Sequence, residues 1–425
     1  FPIYDRGDAR ALLDAGDDLR VAGDHHHREV GVQPTAEGGD LEPVGAGQAI
    51  VGDQHVRLRG ARQAGHRHLA VQRHLDLVAV LAEQLRQRAA RFPFDLPETM
   101  TRFFSVAVSA FCLAAAICGT ASAQSDPSPV PLTPPGHPER PDRLRAIARV
   151  LDDDAFAELD RRQSPFGDEE TVLLCHPELH LEKVRRSIPE EGIRAVDADT
   201  SVSPKSWEAA MTAIGAVNAA VDDVFSGEAD NVFVAARPPG HHAEKTRAMG
   251  FCLFNNAAIA ARYAQKKHGA ERVAIVDWDV HHGNGTQDIF WDDPTVLYCS
   301  THQMPLYPGS GAKDETGAGN IVNAPLSPRT GSELFREAMR ARVLPAITNF
   351  APNLIIISAG FDAHHRDPLA EINLTEEDFD WATGQLLDKA SRHSKNRLVS
   401  LLEGGYDLQG LSFSVAAHVK RLMKG

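Results

Sequence analysis

The stretch Val273-Ala274-Ile275-Val276-Asp277-Trp278-Asp279-Val280-His281-His282-Gly283-Asn284-Gly285 changes character half-way along. Residues 272–276 form a short apolar run, as a strand buried on both faces requires. The residues after it are polar and glycine-rich. Asp277, Asp279 and His281 stand two apart, so an extended backbone turns all three to one face. The same grammar recurs on both sides. Residues 231–236 run into Arg237-Pro238-Pro239-Gly240-His241-His242-Ala243. Residues 354–358 run into Ala359-Gly360-Phe361-Asp362, and 397–402 into Glu403-Gly404-Gly405-Tyr406-Asp407. Residues 171–175 and 296–300 read as further strands. Helical patterns over 204–226, 256–267, 332–350 and 376–394 lie between them. This alternation predicts an α/β fold, a mostly parallel sheet covered by helices on both faces. In such sheets, sites gather beyond the carboxyl ends of the strands.

The strand ends carry the chemistry. An Asp and a His two apart are good ligands for a divalent metal. Asp362 is the best third ligand, which would give three protein ligands plus water, the open pattern of catalytic zinc. Asp279, His281 and Asp362 together are oxygen-rich, so iron or cobalt is physically allowed. The tandem His241-His242 can supply a base for a metal-bound water, with Asp277 and Asn284 as candidates to orient the rings. Tyr406 can donate a hydrogen bond to a developing oxyanion. Phe251 and Tyr307, in loops flanked by Gly or Pro, either wall an apolar slot or pack in the core. Each feature alone also reads as a capped strand end or as packing. Together they point to metal-assisted hydrolysis of an amide or ester.

The 425 residues carry a formal net charge of −14, with 43% hydrophobic and 24% charged residues. The hydrophobic fraction argues against a wholly disordered chain. The acidic balance argues against direct nucleic-acid binding by charge. Five cysteines are too few for a disulfide scaffold. Residues 1–99 contain neither Lys nor Met, and Asp24-His25-His26-His27 lacks the spacing of a metal site and reads as a solvated stretch. At Met100 a short cationic start precedes the apolar run 103–117 and the small-residue signature Ala121-Ser122-Ala123, the pattern of a secretory signal peptide. The expectation is that Met100 is the true start and that 1–99 is an upstream non-native or disordered extension. Residues 100–123 are then the signal-like segment, 124–136 a Pro-rich linker and 137–425 one catalytic domain. An exported, periplasmic protein would follow, with no stable membrane insertion after processing. Without processing the protein would be cytoplasmic.

The motifs resemble the histone deacetylase superfamily, most of all its class II and bacterial members, the histone deacetylase-like amidohydrolases. They read HPERPDRL at 137–144, RPPGHHA at 237–243, GFCLFNN at 250–256, DWDVHHGNGTQ at 277–287, LYPGSG at 306–311, GFDAHHRDPLA at 360–370 and LEGGYDL at 402–408. The resemblance implies a three-layer α/β/α, arginase-like fold. It implies zinc held by Asp279, His281 and Asp362. It also implies His242 as general base beside His241, Asp277 orienting His241, Asn284 orienting His242, and Tyr406 polarising the acyl carbonyl. Gly250, Phe251 and Tyr307 would line the channel, with Leu369 near its rim. A potassium or sodium ion would lie at Asp277, Asp279, His281, Ser300 and Thr301, and a second at Phe290, Asp293 and Val296.

One departure concerns the start of the domain. The family has a first strand upstream of HPERP, whereas 125–135 is Pro-rich with no obvious strand. The edge strand is expected to be missing or displaced by 1–99. The implied substrate is an acylated lysine in a protein. The alternatives are an acylated polyamine, as for an acetylpolyamine amidohydrolase, and an acyl-lysine reader without turnover. Oligomeric state is not legible.

Overall fold

The structure, a computed structural model, describes residues 132–425 together with 48–51 and 54–57. The expectations for the rest of 1–99, for the segment 100–123 and for most of the linker lie outside the described residues. Those residues belong to one compact unit, Val44–Gly425. Its strands are β1 (Gln48–Val51), β2 (Gln54–Arg57), β3 (Arg161–Gln163), β4 (Arg194–Ala195), β5 (Ser201–Val202), β6 (Asn231–Ala235), β7 (Val273–Asp277), β8 (Val296–Gln303), β9 (Ile321–Leu326), β10 (Leu354–Ala359) and β11 (Leu398–Leu402).

Nine of these strands form one sheet in the order β3-β2-β1-β6-β11-β10-β7-β8-β9, and β4-β5 form a small separate ribbon. From β6 to β9 every pairing is parallel. The central strands are apolar on both faces, and the period of two sorts their side chains between two cores. Phe233, Ala235, Ala274, Val276, Ile355 and Ile357 face one core, which the helices Asp142–Leu151, Glu376–His393 and Leu408–Leu422 close. Val232, Val234, Val273, Ile275, Leu354 and Ile356 face the other, closed by Ser206–Ser226 and Asn256–His268. This is the three-layer α/β/α arrangement expected from the alternation.

Two expectations are corrected. Residues 171–175 do not form a strand: Glu169–Val172 is helical and the chain then turns. Asp168 caps that turn by accepting from the Glu170 amide at 3.0 Å, with Glu169 and Glu170 in the favourable first turn. A local cap outweighs β propensity here. The pattern over 332–350 is not one regular helix, because a wider π-type turn at Met339–Val343 separates Ser332–Ala338 from Leu344–Phe350. Pro345 has no N–H for a regular bond, and the wide turn absorbs the defect. β9 escaped notice because it carries Pro325, which edge strands tolerate. The place beside β6 is taken by β1, parallel to it, so this sheet edge draws on residues 48–57 rather than on 125–135.

Candidate active site

The polar cluster lies where β6, β7, β10 and β11 end. Beyond Asp277, Trp278 and Val280 turn into the apolar core. Asp277, Asp279 and His281 therefore turn the other way, as their spacing predicted. Asp362 arrives from the end of β10, which pairs with β7 so that Ser358 stands opposite Asp277. Ligand atoms of Asp279, His281 and Asp362 all lie within 4.8 Å of one another, and all three residues are buried. His281 Nδ1 is 3.1 Å from Asp279 Oδ1 and 3.1 Å from Asp362 Oδ2. The remaining oxygens are held by backbone amides: Gly404 N donates to Asp279 Oδ2 at 2.7 Å and Val280 N to Asp362 Oδ1 at 2.9 Å. Gly404 is a close-approach glycine, because a Cβ there would overlap the Asp362 and Asp279 carboxylates.

These donors suit a divalent cation. Burial, and the Asp279 charge beside it, push the Asp362 carboxyl up to about 7. Burial opposes a charge on His281, but its bonds to Asp279 and Asp362 raise it to about 10. Two buried carboxylates aimed at one point need a positive partner, and the set of two Asp and one His can supply three ligands to an ion.

The neighbouring imidazoles lie with ring centroids 4.0 Å apart and planes tilted by 44°, yet their surroundings differ. His241 Nδ1 donates to Asp277 Oδ2 at 2.9 Å. That carboxylate also accepts from the Tyr298 hydroxyl at 3.1 Å. Burial works against a charged His241, but Asp277 and Asp279 raise it well above the ordinary imidazole value. His242 Nδ1 lies 2.8 Å from Asn284 Oδ1, while Asn284 Nδ2 donates to Glu244 Oε1 at 2.8 Å. The Glu244 bond fixes which end of the Asn284 amide faces His242. Nδ1 must then carry the proton, leaving Nε2 as a free base. Burial, then the charges of His241 and His281, hold His242 well below the ordinary value. Adjacent titratable groups driven apart in this way mark functional sites.

A histone deacetylase domain model matches residues 137–422. The chain belongs to the histone deacetylase family. It is 41% identical over 293 residues to a histone deacetylase-like amidohydrolase of Pseudomonas aeruginosa, covering 68% of this chain and 77% of that protein. An uncharacterized protein of Synechocystis, slr0245, is 44% identical over 296 residues, covering 68% and 95%. The crystal structure of the HDA15 HD domain superposes with a TM-score of 0.65 at 39% identity, covering 69% of this chain and 83% of that one.

In this histone deacetylase family member the remaining predicted residues fall around the same centre. Tyr406 is half-buried, its ring edge-on to Phe251 at 5.9 Å and beneath the Arg143 guanidinium at 5.0 Å. Its amide donates to Asp367 Oδ2 at 2.7 Å, and the Leu369 amide donates to Asp367 Oδ1 at 3.0 Å, so one carboxylate sets both residues. Tyr307 packs edge-on to His242 at 5.2 Å and is 39% exposed. Gly250 has φ +57°, and a Cβ there would run into the His242 ring, so glycine is needed before Phe251.

Of the first expected cation set, Ser300 stands opposite Asp277 in register, and the buried Thr301 hydroxyl has no partner among the described residues. The carbonyls of Phe290, Asp293 and Val296 also converge, and what they converge on is the Asn320 carboxamide.

Four supports went unnamed in the sequence reading. Glu403 accepts from the amides of Gly240 at 2.7 Å and His241 at 3.2 Å, tying the His-bearing loop to β11. Arg143, fully buried, donates to Gly405 O at 2.7 Å and to Glu403 O, holding the turn before Tyr406. Glu139 pairs with Arg143 and, through Nη2 at 2.6 Å, with Arg237. Each lies inside a quoted motif; Glu139, Arg237 and Glu403 stand next to a Pro or Gly, which was the available signal, whereas Arg143 stands between Asp142 and Leu144 and carried none.

Proposed function

We propose that this protein is a zinc-dependent deacetylase that hydrolyses the acetyl amide of lysine side chains in proteins. The observation that carries the reading is the divergence of His241 and His242 beside Asp279, His281 and Asp362. A divalent ion held by those three residues would polarise an acyl carbonyl and acidify a bound water. His242, neutral and with Nε2 free, accepts the proton from the attacking water. His241, kept cationic by Asp277, adds positive charge where negative charge develops. The Tyr406 hydroxyl, which burial raises well above the usual phenol value, stays protonated and donates to the oxyanion. The imidazolium formed at His242 returns its proton to the leaving amine.

Phe251 and Tyr307 supply aromatic walls suited to a straight alkyl stem. Leu369 is aliphatic and offers no charge to a second ammonium, which favours lysine over a polyamine. Asp199, which accepts from the Gly250 amide at 3.0 Å beside the wall, favours the polyamine alternative. The test is acetate release by the zinc-loaded full chain on an acetyl-lysine peptide and on acetylspermidine in parallel, with His242→Ala as control. Peptide turnover that vanishes in the control is expected. Turnover of acetylspermidine alone would move the assignment to the polyamine reaction, and zinc binding without turnover on either would revive the acyl-lysine reader.

A further inference from the structure

Asn320, the residue before β9, turns its side chain towards the loop between the helix Asn284–Phe290 and β8. Its Nδ2 lies 2.9 Å from Phe290 O, 3.0 Å from Asp293 O and 2.8 Å from Val296 O. Its Oδ1 accepts from the Ala318 amide at 3.1 Å. The three carbonyls decide which end of the amide is which, because they can only accept; the Ala318 amide, whose shorter bond is to Trp291 O at 2.9 Å, agrees with that orientation. The side chain is enclosed, with Asn320 only 4% exposed.

The carbonyls have further partners. Phe290 O accepts from Asp293 N at 3.1 Å and Asp293 O from Val296 N at 3.3 Å, so both lone pairs of each oxygen are engaged. Arg262 pins the loop from outside, with Nη1 2.5 Å from Asp293 Oδ2 and its guanidinium 4.8 Å from the Phe290 ring centroid.

The family resemblance implies a second monovalent cation on these three carbonyls, and the residues present do not fit one. A nitrogen stands where the oxygens converge and takes from each the lone pair an ion would use; the other lone pair of Phe290 O and of Asp293 O is already bound by a backbone amide. We propose that the Asn320 carboxamide takes the place of that cation in this chain. Its N–H dipoles gather the carbonyl dipoles as an ion's charge would. The helix that begins at Asn284 is thereby fixed to β8 without potassium or sodium at this locus.

Thallous ion, an anomalous scatterer that occupies potassium sites, tests the assignment. Crystals of the full chain soaked in a thallous salt are expected to show no anomalous peak among the Phe290, Asp293 and Val296 oxygens. A peak there, with Asn320 turned away, would overturn it. Asn320→Asp keeps the acceptor for Ala318 and exchanges the donor for a carboxylate, so it should create the missing site. Replacing choline chloride by potassium chloride should then raise its melting temperature by about 2–4 °C more than that of the wild type. Any response of the first cation set is common to both proteins and cancels in the difference. An equal response of the two proteins counts against the proposal. If the variant does not fold, the wild-type anomalous map still decides.

Discussion

The floor of the site and its walls are built by different means. Asp279, His281 and Asp362 sit buried at strand ends, and amides from the ends of other strands, Gly404 N and Val280 N, hold Asp279 Oδ2 and Asp362 Oδ1. Phe251 and Tyr307 sit on loops. The Phe251 backbone has φ 69°, and its amide donates to Thr200 Oγ1 at 3.0 Å. The loop after Tyr307 is clamped by Glu315, which accepts from the amides of Gly311 at 3.0 Å and Ala312 at 3.1 Å. The floor inherits its precision from parallel strand register, while the walls depend on a few side-chain bonds. Changes at the floor should therefore act on turnover, and changes at the walls on substrate affinity.

The largest effect should come from the floor. Chelation is expected to abolish deacetylation, with recovery on adding zinc, followed as acetate release alongside metal content. His242→Ala should lower kcat by about 10²–10⁴, the range for a lost general base. A KM change with kcat intact would place His242 among the walls instead. Tyr406→Phe should lower kcat by about 10²–10³, as for one lost oxyanion donor. Near-normal turnover would remove Tyr406 from the chemistry.

Wall changes should be milder. Phe251→Ala and Tyr307→Ala are expected to raise KM by about tenfold, the equivalent of roughly 1.4 kcal/mol of lost contact, with kcat nearly unchanged. Equal losses in kcat and kcat/KM would mean that the walls also order the floor.

The smallest effect is a displacement along the pH axis. Protonated His242 cannot accept a proton, so activity should fall as pH falls through its pKa. Burial and the His241 imidazolium hold that pKa well below the ordinary value, so the acid limb should lie below the ordinary imidazole range. Asn284→Asp places a carboxylate at Nδ1, favours the imidazolium and should move the limb to higher pH. An unmoved limb in the kcat/KM profile would assign it to another group.

Much of the floor was legible because it is local. The spacing of Asp277, Asp279 and His281 within one extended run turns them to one face, and the glycines beside them mark turns. The supports were less legible. Arg143 reaches Gly405 across 262 positions of chain, and Glu139 reaches Arg237 across 98. Nothing local in HPERPDRL says which turn it will hold. The reading of 171–175 as a strand failed because a cap at Asp168 competes with β propensity, and their balance depends on what packs above.

By itself the sequence determined an alternating α/β chain whose strand ends carry carboxylates, imidazoles and a tyrosine, because side-chain periodicity is a property of the local backbone. Only the tertiary structure decided how those groups are paired. The order of the strands sets β11 beside β6 and β10 beside β7. That order brings Glu403 to the amides of the His-bearing loop and Asp362 to His281. Two adjacent histidines with the same intrinsic chemistry are shifted in opposite directions: burial and the neighbouring imidazoles lower His242, while Asp277 and Asp279 raise His241 against its burial. Likewise, three carbonyls that suggested a cation meet an asparagine. A polar group's charge and role follow from the partner that reaches it in a water-poor interior, and chain folding chooses that partner.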